Sequence, residues 1–246
     1  MAPTANTLVE FRGINGGDGR DADRRAATEA VRVAVVEDDE RLRQALVFQL
    51  GTAGFQIAPY SSAEEFLNVP DASAFDCVVA DLLLPRMNGL QLQEELNRVV
   101  PFASIVFITG HGDLSLGMQA MRDGAVDFLE KPVDEKALLT SITRGARLSR
   151  AQRAEQVHRI ALEKRHRTLT PREREVFALI TTGLLNKQVG AELGATERTI
   201  KVHRGRVMNK MCANSLADLV NMAGTLHIHA TREDKRAQPA GPCCTR

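Results

Sequence analysis

Hydrophobic runs and polar breaks alternate regularly through the first 147 residues of the chain. Short apolar runs predict buried strands, and helical spacing of apolar residues follows each of them. The predicted strands cover 31–37, 55–60, 75–81, 105–109 and 125–129, and the helices about 42–50, 62–68, 88–99, 113–122 and onward from Asp134. Ser61, with Glu64 three residues later, resembles a capping box for the helix over 62–68. Five strand–helix alternations predict a doubly wound, five-stranded parallel α/β domain.

The last third of the chain has only helical periodicity. Thr170, Pro171 and Glu173 form a strong helix start, with a capping hydroxyl, a proline in the first turn and an acid that can bond back. Further helices are predicted over about 186–193, 196–211 and 215–223. The short turn at Gly194, between the first two of these, is typical of a helix-turn-helix.

The segment between these two parts is charged, lacks proline and is rich in helix formers. We expect residues 148–167 to extend the last α/β helix as a linker; a coiled coil stays open, although the apolar residues make a poor heptad seam. The α/β domain is then predicted to cover 31–147 and the helical domain 168–229. Residues 1–30 and 230–246 are polar without periodicity and are predicted to be disordered.

The net charge of +1 conceals an asymmetry between the two predicted domains. Residues 31–147 hold 10 Lys/Arg and 17 Asp/Glu, a balance of −7, whereas residues 148–230 hold 14 and 7, a balance of +7. Opposite charges predict different partners, and a basic helical domain favours nucleic acid. Trp is absent and Tyr single, which argues against an aromatic surface for stacking carbohydrate or single-stranded RNA.

No apolar run approaches the roughly 18 residues of a membrane span, and no signal-peptide core begins the chain, so we expect a cytoplasmic protein without a membrane partner. The four cysteines have neither metal-ligand nor disulfide spacing. Cys77 and Cys212 suit buried apolar positions. Cys243 and Cys244 lie in the polar tail, where incidental and reactive thiols both stay open.

Polar side chains stand at the ends of four predicted strands. Glu37 and Asp38 end the first strand, Asp81 the third, Thr109 the fourth and Lys131 the fifth. In a doubly wound sheet these ends converge on one rim. Three carboxylates there repel one another unless a cation joins them, and ligands that are all oxygen favour Mg²⁺. With a hydroxyl donor and a lysine for phosphate, the set suits phosphoryl transfer to Asp81 as the nucleophile.

Each of these residues also has a simpler interpretation. Acids at 37–40 suit a helix N-terminus, Asp81 a strand-end turn, Thr109 a helix cap and Lys131 a solvated loop. The coincidence of all of them at successive strand ends favours the functional interpretation. The sequence contains no Walker glycine loop, so a nucleotide site is not predicted.

These motifs give the first domain a resemblance to the receiver domains of bacterial two-component response regulators, which have the CheY-like fold. The resemblance rests on Glu37-Asp38, Asp81 within DLLLPRMNG, Thr109-Gly110 and Phe128–Pro132, and it covers 31–147. The stretch ITGHGDLSLGMQAMRDGAVDFLEKP resembles the FixJ branch in particular. The family implies that Asp81 accepts a phosphoryl group from a phosphohistidine on a sensor histidine kinase.

The resemblance also implies a role for each neighbouring residue. The implied Mg²⁺ ligands are Glu37, Asp38, Asp81 and the Leu83 backbone carbonyl, and the implied phosphoryl-binding residues are Thr109 and Lys131. Thr109 would move inward on phosphorylation, and Phe128 would follow into the vacated space. Two positions depart from the commonest pattern. Glu37 stands where Asp is commoner, which affects metal geometry, and Phe128 stands where Tyr is frequent, so the switch lacks a phenolic hydroxyl.

Residues 168–224 resemble the LuxR/FixJ/NarL-type helix-turn-helix through LTPREREVFALITTGLLNKQVGAELGATERTIKVHRGRVMNKM. The basic helix over 196–211 can enter the major groove, with its N-terminal half at base edges and other cations on phosphates. The candidate core comprises Val176, Phe177, Ile200, Val202, Val207 and Leu219.

The same resemblance divides the candidate DNA contacts into two groups. Lys201 and Val202 would face bases, with Arg204 and Gly205 nearby, and the DNA backbone would be contacted by Asn186, Lys187, Arg198 and Thr199. Arg206 and Lys210 are further cations of the helix, and His203 is expected to be structural or phosphate-facing rather than a metal ligand. Gly205 departs from the longer side chains often found there, which weakens the helix and removes one possible base contact.

These observations predict a two-component response regulator, not an enzyme. Phosphorylation of Asp81 with Mg²⁺ would promote homodimerisation and sequence-specific binding to promoter DNA, with RNA polymerase as a further partner. Two other classes stay open. One is a Mg²⁺-dependent phosphatase, although Leu83 stands where such enzymes usually carry a second acid. The other is a DNA-binding regulator controlled by protein contacts alone. An RNA-binding output is disfavoured.

Overall fold

The computed structural model describes residues 30–100, 102–110 and 114–228, and the chain divides into two compact units, Met1–Ala154 and Glu155–Arg246. The disorder predicted for both termini, apart from Ala30, lies outside the described residues, as do Cys243 and Cys244. Among the helices in the described ranges, none is both long and apolar enough to cross a lipid bilayer.

The first unit is built on a five-stranded parallel sheet in the spatial order β2-β1-β3-β4-β5. The strands are β1 (Arg32–Val36), β2 (Gln56–Tyr60), β3 (Cys77–Asp81), β4 (Ser104–Thr109) and β5 (Asp127–Glu130). β3 lies at the centre of the sheet and all five of its residues are buried. A strand covered on both faces must be apolar throughout, which explains the uninterrupted apolar run before Asp81. The predicted doubly wound fold is confirmed.

Helices connect the strands, and side-chain caps define where several of them begin. They are α1 (Glu40–Thr52), α2 (Ala63–Leu67), α3 (Gly89–Val99), α4 (Leu114–Arg122) and α5 (Glu135–Arg167). Asp39 caps α1 by accepting hydrogen bonds from the amides of Arg41 and Leu42. Asn88 and Gln91 form a capping box at α3. Caps of this kind stabilise a helix by about 1 kcal/mol each.

The capping box predicted at Ser61 and Glu64 is wrong by one residue. Ser62 caps α2, and its side chain accepts a hydrogen bond from the amide of Glu65. The Glu65 carboxylate accepts in turn from the Ser61 amide and hydroxyl, both at 2.7 Å. Two adjacent serines give the sequence two equivalent starting points, and only the backbone direction decides between them.

Two apolar clusters cover the two faces of the sheet. Val78 of β3 belongs to the cluster beneath α2, α3 and α4, which also holds Phe66 and Phe107. Its neighbour Val79 belongs to the other cluster, together with Leu46 of α1. Successive strand side chains point to opposite faces, so one apolar run supplies both cores.

α5 runs without a break for 33 residues, from Glu135 to Arg167. The helix thus includes residues 148–167, the segment predicted to extend it as a linker. The helix begins in the first unit and ends in the second.

The second unit contains α6 (Pro171–Ile180), α7 (Asn186–Leu193), α8 (Glu197–Met211) and α9 (Leu216–Thr225). The predicted capping box at Thr170 and Glu173 is present, with Pro171 in the first turn. Most of the predicted core is buried: the completely buried members are Val176, Phe177, Ile200, Val207 and Leu219.

Two burial predictions in this unit are wrong. Val202, predicted as core, is 50% exposed, because it follows the inward-facing Ile200 by two positions on a helix and so points to the opposite side. Cys212 is exposed, because it ends α8 with a left-handed backbone, φ +56°, and turns away from the core. Cys77 is buried as predicted, and burial raises the pKa of its thiol to about 12.

Candidate functional site

Three carboxylates meet at the C-terminal edge of the sheet. Glu37 and Asp38 follow β1, and Asp81 is the last residue of the neighbouring β3. One ligand oxygen from each of the three lies within 4.8 Å of the others. Glu37 is 1% exposed and Asp81 7% exposed, whereas Asp38 faces solvent. The structure therefore brings the predicted acidic residues together in a half-open pocket.

Lys131 closes this pocket from the side of β5. Its ammonium donates to Asp81 Oδ2 at 2.6 Å and to Glu37 Oε2 at 3.1 Å. The backbone holds the lysine in place, because its amide donates to the Thr109 carbonyl at 2.8 Å and so prolongs the pairing of β4 with β5. One lysine thus faces the two buried carboxylates.

The charges in this pocket are out of balance. Burial, together with the nearby charge of Asp81, raises the pKa of Glu37 above its usual value, despite the opposing hydrogen bond from Lys131. For Lys131, burial favours the neutral form, but hydrogen bonds to Asp81 and Glu37 outweigh it and raise its pKa. Glu37, Asp38 and Asp81 together face one lysine, so the formal negative charge of the pocket exceeds what Lys131 neutralises.

The loop between β3 and α3 wraps around Asp81. The Leu83 amide donates to Asp81 Oδ1 at 2.9 Å, so both carboxylate oxygens of Asp81 have partners. The loop can turn this tightly because residue 89 is glycine. A Cβ there would lie 2.9 Å from the Asp81 carbonyl oxygen and 2.8 Å from a ring carbon of Phe107, which is closer than van der Waals contact allows.

The other predicted receiver residues lie at the ends of β4 and in β5. Thr109 is the last residue of β4 and is 3% exposed. Phe128 is half-buried in β5 and packs against the apolar cluster beneath α4. Its ring lies over Gly117 of α4, where a Cβ would be 2.9 Å from the ring. The Phe128 ring thus packs in a space that exists because residue 117 has no side chain.

Arg43 belongs to the site and was missed by the sequence analysis. Its guanidinium donates to the backbone carbonyl of Glu37 at 2.6 Å and to that of Asp38 at 3.3 Å. It therefore holds the loop that carries two of the acids. A single arginine on an amphipathic helix gives no sequence signal of this contact, since most such arginines are solvated.

The donor set fits a divalent cation. Three carboxylates whose oxygens lie within 4.8 Å of one another are hard oxygen ligands of the kind that Mg²⁺ selects. Three carboxylates with one lysine between them leave an excess of formal negative charge that such a cation would relieve. Chemically, the pocket offers a carboxylate nucleophile, a cation site and a lysine within reach of the same atom.

The second unit presents the predicted DNA-binding residues along one side of α8 and at the start of α7. Ile200, Val207 and Met211 bury the inner face of α8. The outer face is exposed and includes Arg198, Thr199, Lys201, Val202 and Arg206, and Lys187 of α7 is also exposed. A Cβ at Gly205 would meet nothing within 4 Å, so this face has open space there.

The turn between α7 and α8 depends on two glycines. Gly194 ends α7 with a left-handed backbone, φ +63°. Gly190, one turn earlier, allows the chain to double back, because a Cβ there would lie 2.6 Å from the Ala195 carbonyl oxygen. The sequence analysis identified Gly194 but not Gly190, whose role depends on a tertiary approach that the sequence does not display.

Three further predicted DNA contacts have partners inside the unit. Arg204 is half-buried and donates to Asn186 Oδ1 at 3.3 Å, which joins α8 to α7. Lys210 donates to the buried Glu173 at 2.6 Å and to the Thr168 carbonyl at 3.1 Å. The Lys210 hydrogen bond contributes most to lowering the Glu173 pKa to about 2. The ammonium of Lys210 is therefore engaged within the unit.

His203 is half-buried, and its Nδ1 atom has no hydrogen-bond partner within the described residues. His203 belongs to no cluster of metal-ligating side chains among the described residues, where the cluster found is that of Glu37, Asp38 and Asp81.

Comparison with known proteins places both units. The protein-family model for "Response regulator receiver domain" matches residues 33–143. The family model for "Bacterial regulatory proteins, luxR family" matches residues 167–223. Nodulation protein W of Bradyrhizobium diazoefficiens is 42% identical, covering 85% of this chain and 92% of that protein. Transcriptional regulatory protein FixJ of Azorhizobium caulinodans is 37% identical, over 79% and 92%. A solved structure of response regulator StyR is 39% identical, covers 80% of this chain and 99% of that one, and has a TM-score of 0.70.

Proposed function

Because this chain belongs to the FixJ/NarL family of two-component response regulators, which are transcriptional regulators rather than enzymes, we propose that phosphorylation of Asp81 controls its binding to promoter DNA. The observation that carries the proposal is the pocket in which Glu37, Asp38 and Asp81 meet one lysine. The donor is a sensor histidine kinase, and residues 31–147 and 168–229 are the two domains, joined by 148–167.

In the proposed reaction a carboxylate oxygen of Asp81 attacks the phosphorus of a phosphohistidine. The oxygen–phosphorus bond forms as the phosphorus–nitrogen bond breaks, and the imidazole leaves with its electron pair. Glu37, Asp38, Asp81 and the Leu83 carbonyl would hold Mg²⁺, which would provide a Lewis acid to neutralise charge on the phosphoryl oxygens. The hydrogen bond from the Leu83 amide orients the nucleophile.

Lys131 and Thr109 then bind the phosphoryl group. The Lys131 ammonium already contacts Asp81 Oδ2 at 2.6 Å and needs only to exchange a carboxylate oxygen for a phosphoryl oxygen. The Thr109 hydroxyl donates to a second phosphoryl oxygen. Its inward movement lets Phe128 leave its position over Gly117 and follow into the vacated space. The switch is thus a population shift driven by contacts that exist only in the phosphorylated state.

The output is sequence-specific DNA binding by α8. Lys201 and Val202, both exposed, face base edges, and Gly205 leaves room for the close approach of a base or backbone. Arg204 lies near the bases, and the phosphate-contacting set comprises Lys187, Arg198, Thr199, Arg206, Asn186 and His203. Lys210 is the weakest candidate, because its ammonium is bound to Glu173.

Phosphorylation promotes a homodimer, and two α8 helices read paired half-sites. RNA polymerase is the further partner of a promoter-bound regulator, and contact with promoter DNA requires a cytoplasmic location. The RNA polymerase contact and the dimer are proposed from the family role.

The test is DNA binding and oligomeric state with and without a small-molecule phosphodonor and Mg²⁺. Wild-type protein should dimerise and bind a promoter pool more tightly with the donor, and Asp81→Asn should do neither. Equal binding by both proteins under all conditions would contradict the proposal and favour control by protein contacts. Lys201→Ala should weaken specific DNA binding by about 1–3 kcal/mol. Lys210→Ala should instead lower the stability of the second unit, because it removes the hydrogen bond to Glu173.

A further inference from the structure

A second buried carboxylate, Asp76, lies just before β3, at the end of the strand opposite Asp81. It is 6% exposed. Its Oδ2 accepts a hydrogen bond from the Arg32 amide at 3.0 Å and another from Arg150 Nη2 at 2.7 Å. A second guanidinium, that of Arg153, lies 3.5 Å from Oδ1. Both oxygens of the carboxylate therefore face cations from α5.

The two arginines also bind the backbone around Asp76. Arg150 donates to the Ala30 carbonyl at 3.3 Å, and Arg153 donates to the Phe75 carbonyl. Arg153 also bonds to Ser149 Oγ at 2.7 Å, one turn earlier on α5, where Ser149 is completely buried. A short stretch of α5 is thus attached to the N-terminal edges of both β1 and β3.

These contacts involve a part of α5 that the receiver family model does not include. That match ends at residue 143, whereas the contacts lie at 149–153. After them, residues 154–160 of α5 are exposed or half-buried. The cluster therefore stands where the helix passes from the sheet to a solvent-facing stretch, and solvated stretches of helix fray readily.

We propose that Asp76, Arg150 and Arg153 form a clamp that fixes this part of α5 to the base of the sheet and positions the helix for signal transfer. The first half of the proposal concerns this chain alone, and the second half rests on the proposed function. Asp76 and the two arginines are positioning residues, remote from the phosphoryl chemistry at Asp81.

The physical reason is the strength of buried, charge-assisted hydrogen bonds. Guanidinium–carboxylate bonds are roughly twice as strong as neutral ones. Although burial raises the pKa of Asp76, the hydrogen bonds from Arg150 and the Arg32 amide outweigh it, and the pKa lies below its usual value. Asp76→Asn keeps the shape and the bond from the Arg32 amide but removes the charge that both arginines approach.

Amide hydrogen exchange in the full-length protein, without phosphodonor or DNA, tests the clamp directly. In Asp76→Asn the amides of 148–156 should exchange on the order of tenfold faster, as expected for losing a charged hydrogen bond. Amides of α6, in the second unit, should be unaffected, and Asp76→Glu should restore part of the protection. Unchanged exchange of 148–156 would overturn the clamp.

Arg147→Gln is the matched control, because Arg147 is exposed on the same helix one turn earlier, and no hydrogen bond or ion pair joins it to the described residues. If Asp76→Asn does not fold, Arg150→Lys with Arg153→Lys replaces it. That variant keeps both charges but loses the planar fork, and it should show faster exchange of 148–156. Exchange equal to that of the wild type would overturn the clamp.

The second half is tested by the gain in DNA affinity on adding phosphodonor and Mg²⁺. Asp76→Asn should accept as much phosphate as the wild type and bind DNA equally without donor, but its donor-dependent gain should shrink on the order of tenfold. A full gain despite faster exchange would refute signal transfer through the clamp. If the wild type itself takes up no phosphate, or shows no donor-dependent gain in DNA affinity, the proposed function is refuted, and signal transfer through the clamp with it. The hydrogen-exchange result would still decide whether the clamp exists.

Discussion

β3 carries a buried carboxylate at each end, and the two are neutralised to different degrees. Asp76 faces two arginines and a backbone amide. Asp81 shares one lysine with Glu37 and stands near Asp38 as well. The strand between them is apolar and fully buried, so the contrast arises from the neighbours and not from the strand.

The Asp76 carboxylate has all its partners within the chain, whereas the carboxylates around Asp81 have fewer cations than charges. At the Asp76 end both carboxylate oxygens are paired within the chain, as is usual for a structural polar group in a core. At the other end Glu37, Asp38 and Asp81 share one lysine, so their negative charge is not fully compensated within the pocket. Carboxylates that outnumber the cations of their pocket are open to a cationic ligand, whereas a fully paired carboxylate is not, which favours ligand binding at the Asp81 end and a mechanical role at Asp76.

The largest contrast is expected in phosphoryl incorporation. Asp81→Asn should abolish labelling by a small-molecule phosphodonor, because the amide oxygen is not a nucleophile of comparable strength. Asp76→Asn should leave the extent of labelling unchanged. Labelling can be followed by intact mass. Labelling of Asp81→Asn at the wild-type level would move the phosphoacceptor elsewhere.

Mg²⁺ should stabilise the first unit through one end of β3 only. At a hundredfold excess over its dissociation constant the ion should add about 2.7 kcal/mol to the free energy of unfolding. Urea unfolding followed by tyrosine fluorescence reports this unit alone, because Tyr60 is the single tyrosine of the chain and Trp is absent.

Glu37→Gln and Asp81→Asn should each lose most of this stabilisation, since each removes a charged ligand, and Asp76→Asn should keep it. Ca²⁺ in place of Mg²⁺ shows whether the pocket discriminates by size. Equal stabilisation of all four proteins would place the ion outside the acidic pocket.

Without Mg²⁺, the same substitution at the two ends of β3 should affect stability unequally. Asp76→Asn should lower the free energy of unfolding by about 2 kcal/mol, because it leaves two guanidiniums without their carboxylate. Asp81→Asn should change it by less than about 1 kcal/mol, since the lost bond to Lys131 is offset by relief of repulsion with Glu37. The urea assay compares them directly, with Arg147→Gln as a neutral control.

One end of β3 was open to prediction from the sequence, and the other was not. Residues at strand ends converge by topology alone, so the sequence predicts that Glu37, Asp81 and Lys131 lie together. The Asp76 clamp depends on two long side chains reaching a strand 74 or more positions earlier in the chain. Hydrophobic periodicity along the chain gives no sign of such a long-range contact. In the sequence, Arg150 and Arg153 cannot be told from solvated arginines of a linker.

The same limit explains the smaller errors in the sequence analysis. Val202 was counted as core because it is apolar, but helical phase places it opposite Ile200. Gly89 and Gly190 each permit a close backbone approach that only the folded chain reveals. The cap at Thr170 was predictable, because a cap and its partners lie within three residues.

The smallest expected effect is a pH dependence at the clamp. The pKa of Asp76 is lower in the folded protein than its usual 3.8. A carboxyl group with a lowered folded pKa contributes its stability in full above the unfolded value and loses it as the pH falls through the folded one. The deficit in unfolding free energy of Asp76→Asn, relative to wild type, should therefore shrink on going from neutral pH to below 3.8, by on the order of 1 kcal/mol.

Urea unfolding by Tyr60 fluorescence in Mg²⁺-free buffer provides this measurement. Because the carboxylate acts through its cations, the double variant Arg150→Gln with Arg153→Gln should show a deficit that narrows over the same acid range. A deficit of Asp76→Asn that stays constant from neutral pH to below 3.8 would mean that the asparagine destabilises by shape or packing. The charge of Asp76 would then not be what joins α5 to the base of the sheet, and the contrast between the two ends of β3 would be one of geometry alone.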